Sequence, residues 1–357
     1  MRHLFWTLLN IILSHQSFAF AIIRCDADPK TTLVNDAHAF HNSVLDPRAA
    51  SALKAQVAQS WPLRTVGTKQ RRVIKYCYAT KFYRDYLHCN RVNAALKMWG
   101  DKLGDPAAEH GHSVAWKESG YIGKDGKRKM AYCYTSYEHG KGGKWNKNVD
   151  KDTLAIYLDP TFDGARATTG YDAMSDEAGR HEMVLGIDVD PIEIAHELGH
   201  VFGMVHEQVR NDRDDHVSYE CRNVQGYTDA LSEAIAAESI PEAEAHRRLC
   251  EDRDFALKYS FMGSQFTKNP QGKIHDEMGG FDMRSIMMFS SDVFAGPACD
   301  ADRSKCPLLK LVKVNGEVVG TNRIPENTEP SAGDVAWLKM RYPAVGDGTN
   351  GSLMMPE

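Results

Sequence analysis

The residues best placed to do chemistry are His196-Glu197-Leu198-Gly199-His200, followed by Gly203 and His206. On a helix, residues four apart lie one above the other, so His196 and His200 can aim their imidazoles at one point. Imidazole nitrogens suit Zn²⁺, which takes them at about 2.0–2.1 Å in a tetrahedral shell. Glu197, next to the first ligand, can reach a metal-activated water and take its proton without occupying the metal. His206 stands six residues beyond His200 and cannot share that straight helix face. The chain must turn back, and Gly203 can make the turn without a Cβ penalty. The pattern assigns His196, His200 and His206 as metal ligands, one Zn²⁺ per chain, and Glu197 as the catalytic residue. A helix that merely exposes its histidines would explain neither Gly203 nor His206.

The helix that must carry these residues is well marked. Asp190 is a good N-cap, Pro191 suits the first helical position, and Glu193 completes a capping-box pattern. Ile192, Ala195, Leu198, Val201/Phe202 and Val205 supply its apolar positions. Upstream, Val73–Tyr83 reads as a strand, Val92 to Leu103 as an amphipathic helix, and Lys129–Tyr137, Thr153–Leu158 and Glu182–Leu185 as further strands. Downstream, Asp229–Glu238 and Glu242–Tyr259 read as a helical hairpin broken at Pro241, with Ser239 and Glu242 capping the second helix. Ser331 and Asp334 open a last helix that Pro343 stops. A short helix is expected over Ala49–Val57. Lys69, Arg71 and Arg72 form a basic cluster that is either a processing site or a solvated turn.

The 357 residues are 42% hydrophobic and 25% charged, an ordinary globular mixture. A net charge of −5 argues against a general nucleic-acid or anionic-membrane binder. Leu4 to Leu13 is apolar and Ala19-Phe20-Ala21 fits a small-x-small cleavage site, so residues 1–21 read as a secretory signal peptide. That run is shorter than the roughly 20 residues of a membrane span, and the expectation is a secreted, extracellular protein without a membrane anchor. Residues 22–72 read as a pro-segment or N-terminal extension, 73–343 as the catalytic domain, and 344–357 as a flexible tail with a sequon at Asn350. Eight cysteines without a CxxC pair point, after export, to disulfides. Cys299–Cys306 is the easiest local bridge, with Cys77–Cys89 and Cys221–Cys250 next.

The stretch from His196 to Asp214, with Glu207 after the third histidine and Arg210-x-Asp212-Arg213-Asp214 beyond it, resembles the astacin family of metzincin zinc endopeptidases. Further matches are Ala167-Thr-Thr-Gly-Tyr171, Ser285-Ile286-Met287, and Ser331-x-x-Asp334 with Tyr342. The resemblance implies an α+β fold: a metzincin-like two-lobed domain with a twisted mixed sheet, an active-site helix and a mainly helical or irregular C-terminal lobe. It implies that Met287 floors the histidines and that Glu207 anchors a processed N-terminus, although a salt bridge with Arg210 would serve Glu207 equally. It also implies that the strand near Glu182–Leu185 is the edge along which a peptide lies. Two positions depart from the family pattern. Met288 and Phe289 replace its His and Tyr, so the metal should have three protein ligands plus water. No aspartate switch precedes the first strand, and Arg24-Cys25-Asp26 is either a cysteine switch or part of a disulfide.

The implied function is a secreted zinc-dependent endopeptidase acting on protein or peptide substrates. The alternatives are a catalytically weak or inactive zinc-fold binding protein or toxin, motivated by Phe289, and a metzincin from outside the astacins.

Overall fold

The computed structural model describes residues 59–268 and 279–345. The expected signal peptide, the helix at 49–57, Cys25 with its neighbours and the sequon at Asn350 lie outside these residues. In chain order the elements are β1 (Arg64–Val66), β2 (Lys69–Tyr78), α1 (Lys81–Leu87), a π-helical turn (His88–Val92), α2 (Asn93–Leu103), β3 (Val114–Glu118), β4 (Gly120–Ile122) and β5 (Arg128–Met130). Then come β6 (Tyr134–Glu138), β7 (Gly142–Trp145), β8 (Leu154–Leu158), β9 (Ala165–Ala167), β10 (Glu182–Leu185) and α3 (Pro191–Phe202). The C-terminal half holds β11 (Val217–Tyr219), α4 (Tyr227–Glu238), α5 (Glu242–Glu251), α6 (Arg253–Lys258), α7 (Ala298–Ala301), β12 (Leu308–Val314), β13 (Glu317–Asn322) and α8 (Ala332–Arg341). The fold is mixed α+β.

The main sheet runs β1-β2-β8-β10-β9, with β3 also on β2. Its centre is parallel, β2 with β3 and β8, and β8 with β10. A parallel sheet is covered on both faces, which explains the unbroken apolar run of β8, Leu154 to Leu158. On one face Ile74, Tyr76, Tyr78 and Leu154 join α2 and α3 in a first core with Trp61, Trp99 and Phe202. On the other, Cys77 and Ala155 pack with Ala131, Cys133 and Val149. A second core gathers α4, α5, α6 and the ends of β11 and β12 around Tyr227, Leu249, Phe261, Phe266, Met288 and Phe289.

Several expectations need correction. The strand expected over Val73–Tyr83 is β2, which starts at Lys69 and ends at Tyr78, because the Thr80 side chain accepts the Tyr83 N–H and opens α1. Lys69, Arg71 and Arg72 are therefore strand residues rather than a turn, and the boundary expected at residue 72 falls inside β2. Trp61, only 2% exposed, donates its indole N–H to the Val201 carbonyl, which ties the chain before β1 to the histidine helix. The strand expected over 129–137 divides into β5 and β6 around Cys133. Cys133 is bonded to Cys77, so the expected Cys77–Cys89 bridge does not form. Cys89 is disulfide-bonded elsewhere, while Cys221–Cys250 and Cys299–Cys306 form as expected. The helix expected over 242–259 breaks at Asp252, whose side chain leaves α5 and caps α6 at Phe255. Ser239 closes α4 in a left-handed conformation rather than capping α5. The C-terminal lobe adds a three-stranded antiparallel sheet, β11-β12-β13, to its helices.

Candidate active site

Asp190 accepts the N–H groups of Ile192 and Glu193, and the Glu193 carboxylate accepts the Asp190 N–H, so the capping box of α3 is complete. Gly203 ends α3 with φ 102°, a left-handed conformation that a Cβ would strain, and turns the chain toward His206. The helix also needs Gly199. A Cβ there would collide with the Met287 sulfur, which passes directly beneath.

Ligand atoms of His196, His200 and His206 all lie within 4.8 Å of one another. The Nε2 atom of His206 is 3.1 Å from Nε2 of His200 and 3.1 Å from Nε2 of His196. The other side of two rings is committed: His196 Nδ1–H donates to the Ile286 carbonyl at 2.7 Å, and His200 Nδ1–H to the Met204 carbonyl at 2.9 Å. In a neutral ring that leaves Nε2 as a bare lone pair. One proton on His206 could serve only one of two such neighbours, whereas one cation serves all three. Nitrogens at 2.0–2.1 Å from a tetrahedral centre stand about 3.3 Å apart, close to the spacing seen. The donor set fits zinc.

Electrostatics keep the rings in their ligating form. Each residue is half-buried, with its ring turned inward. Burial, aided by His200, pushes the His196 imidazole down to about 3, and burial pushes His200 down to about 4. Burial and its two partners hold His206 well below the usual range. Glu197, 6% exposed, is moved the other way: burial, then the neighbouring Glu193 charge, raise its carboxyl to about 8. The Ala167 backbone, on β9, hydrogen-bonds this carboxylate and opposes the shift. Its Oε2 is buried without a hydrogen-bond partner among the described residues, the arrangement expected of a group whose partner is a water or substrate atom.

Behind the rings, Asp334 organises the turn at 285–287. Its Oδ1 accepts the Ser285 hydroxyl at 2.6 Å, and its Oδ2 accepts the N–H groups of Ile286 and Ser331, both at 2.8 Å. Ile286 then offers its carbonyl to His196, so a carboxylate on α8 orients a ligand on α3. The sequence marks Asp334 only as a capping residue. Its second role joins residues 48 and 49 positions apart and leaves no local signal. Met287, 1% exposed, lies beneath the histidine helix, the position expected of it. Glu207 accepts the Asp282 N–H at 2.7 Å and lies 3.5 Å from the Arg210 guanidinium, so in this structure it takes the salt-bridge role. The expected edge strand needs correction: β10 is paired on both sides, by β8 and β9, and the free edge belongs to β9. The Phe289 ring packs with its centroid 4.3 Å from that of His206 and offers no donor.

A scan of known families matches residues 126–242 to the Astacin peptidase family. Among solved structures the chain is similar to high choriolytic enzyme 1, a hatching-enzyme zinc-protease of Oryzias latipes (medaka fish), with 15% identity and a TM-score of 0.43 over 80% of this chain and 96% of that one. It is also similar to myroilysin, with 12% identity and a TM-score of 0.37 over 80% of this chain and 97% of that one. A comparison with curated proteins gives no match. The matched residues 126–242 include the three histidines and Glu197, so the likeness to the Astacin peptidase family falls on the site itself.

Proposed function

We propose that this chain is a secreted endopeptidase in which His196, His200 and His206 hold one zinc ion and Glu197 is the general base. The observation that carries the reading is the convergence of three ring nitrogens, two with their lone pairs bared by carbonyls behind them. When bound, zinc would polarise the scissile carbonyl and acidify a water. Glu197 takes the proton from the attacking water and returns it to the leaving amine. Its raised proton affinity suits a group that must hold that proton in transit. The β9 edge supports an extended substrate, because among the described residues no strand lies on its outer side and a peptide strand can add there.

Export is supported by the apolar leader with its small-x-small site and by the disulfides. No helix among the described residues is long and apolar enough to cross a membrane. Processing, if it spares the fold, removes residues before Gln59, since Gln59 already bridges to Tyr171. The test is digestion of casein or gelatin by the purified protein, with metal analysis. One zinc per chain, chelator-sensitive cleavage and loss of cleavage in Glu197→Ala are expected. Undiminished cleavage by that variant, or a zinc-free active protein, would overturn the reading.

A second reading, a zinc-fold binding protein with little or no catalysis, is favoured by one observation: Phe289 fills the wall beside His206 with an inert ring. Cleavage products that vanish with a chelator would eliminate it.

A further inference from the structure

The mechanism leaves His181 without a role, although this imidazole is fully buried where the chain enters β10. Its Nε2 accepts the Asp172 N–H at 2.9 Å, and its Nδ1–H donates to the Asp152 carbonyl at 3.2 Å. A backbone N–H can only donate, so the ring is neutral with its proton on Nδ1. Three rings pack together here, the His181 centroid lying 4.8 Å from that of Trp61 and 5.0 Å from that of Tyr171. The cluster joins two stretches of chain. Gln59 and Tyr171 exchange backbone hydrogen bonds at 3.1 and 3.0 Å, and the Trp61 indole continues to the Val201 carbonyl on α3. Arg180 closes the loop from its other end, donating to the Asp172 carbonyl at 3.1 Å and to the Tyr171 hydroxyl at 3.4 Å.

From this geometry we infer that His181 is a proton-sensitive latch: neutral, it clamps residues 59–61 to the loop 171–181, and protonated, it lets both go. A proton arriving at Nε2 turns the acceptor into a donor that faces the Asp172 N–H. One hydrogen bond is lost and two N–H groups then point at each other, inside a site with no water to take either. The charges around the ring are divided. Arg180 opposes an imidazolium, while the carboxylates of Asp172 and Asp152 favour it, the latter already paired with Arg64 on β1. Burial, then Arg180, prevails over the Asp152 carbonyl and both carboxylates and pushes the ring down to about 4 from its ordinary 6.5. The opened ring thus takes up a proton below 6.5, and the closed ring only near 4. The latch is fully closed-stabilised above the upper value and weakens as pH falls. Its opening constant rises about tenfold per pH unit, and by about 10²–10³ over the whole interval.

Native-state hydrogen exchange of the purified full-length protein, followed by NMR from about pH 7 to about pH 4, tests the latch. Each rate is divided by the intrinsic exchange rate at that pH. Two indole N–H groups bond to the same helix and serve as a matched pair: that of Trp61 on Val201, within the latch, and that of Trp99 on Ala195, outside it. The Trp61 indole and the Asp172 amide should lose about 100-fold in protection across the range, while the Trp99 indole changes by no more than a few-fold. Equal losses at Trp61 and Trp99 would place the acid response in the helix or the whole fold and overturn the inference. So would protection at Asp172 that does not move. His181→Gln supplies a second arm, because its Oε1 can accept the Asp172 N–H and its amide takes no proton in this range. Protection at Trp61 and Asp172 should then be flat with pH. A variant that keeps the wild-type pH dependence would show that His181 is not the group responsible, and the wild-type comparison decides the matter by itself if the variant does not fold.

Discussion

The first core and the second core face each other across the histidines and treat them differently. The sheet-side core ties α3 down at three carbonyls: Trp99 donates to that of Ala195, Trp61 to that of Val201 and Tyr342 to that of Phe202. The helical core touches the site chiefly through rings, with Phe289 against His206 and Phe266 and Phe294 behind it. The turn at 285–289 divides between them, Ile286 and Met287 belonging to the first core, Met288 and Phe289 to the second. One region supplies directed hydrogen bonds that fix ligand tautomers, and the other supplies apolar shape. Chemistry should therefore fail abruptly when the first region is altered and drift when the second is.

The sharpest break is Glu197→Gln. It keeps shape and removes the carboxylate, so kcat for peptide hydrolysis should fall by about 10²–10⁴, while zinc content stays at one per chain. Loss of zinc in the variant would assign Glu197 to metal binding instead of proton transfer. Next in size is Asp334→Ala, which strands the Ser285 hydroxyl and the Ile286 and Ser331 N–H groups. Buried donors without acceptors cost about 1–3 kcal/mol each, so the three of them should remove about 3 kcal/mol of stability or more. Because Ile286 orients His196, zinc affinity should also fall by about 10–100-fold. Urea titration and competition with a zinc chelator read the two effects. A stability loss with unchanged zinc affinity would uncouple the turn from the ligand.

How much of this was legible beforehand depended on whether the cause was local. The histidine helix was readable from end to end, since Asp190, Pro191, Glu193 and Gly203 each act within one turn of themselves. Cys221–Cys250 and Cys299–Cys306 span short loops and were readable for the same reason. Cys77–Cys133 was not: it joins β2 to the segment between β5 and β6, and only the sheet brings them together. The β9 edge was missed because Ala165-Arg166-Ala167 is too short and too plain to announce a strand, whereas Glu182–Leu185 reads as one and lies inside the sheet. Asp334 announced a helix start and concealed its bond to the turn 48 residues upstream.

A pH series tests the border between the two cores at Glu207. Burial, with Asp334 and Asp282 adding to it, raises this carboxyl to about 7 despite the Asp282 N–H and Arg210. The folded protein thus keeps the proton to higher pH than the unfolded chain, whose carboxyl titrates near 4.5. Wild-type stability from this group is fullest below the lower value and declines as pH rises toward the upper one. Glu207→Gln has no proton to lose. Its stability relative to wild type should rise between about pH 5 and 7 and level off above, by about 1–3 kcal/mol in all. A difference that shrinks with rising pH would mean the ion pair with Arg210 outweighs the burial.

The mildest change probes the apolar wall itself. Phe289→Tyr adds one hydroxyl to a ring that is 7% exposed and lies among His206, Phe266 and Phe294. If that wall is shape alone, the hydroxyl gains no partner and costs about 1–3 kcal/mol of stability, with kcat unmoved. If the ring edge reaches the space where the substrate carbonyl becomes an oxyanion, the new donor acts on the transition state. Removing such a donor elsewhere costs about 10²–10³ in rate, and an added one lacking supporting contacts should recover only part of that. Because the ring already lies beside His206, the expected outcome is the second, a rise of roughly tenfold or less in kcat with KM unchanged. A variant that is less stable and no faster would leave Phe289 to packing, and the division between a directing region and a shaping one would stand complete.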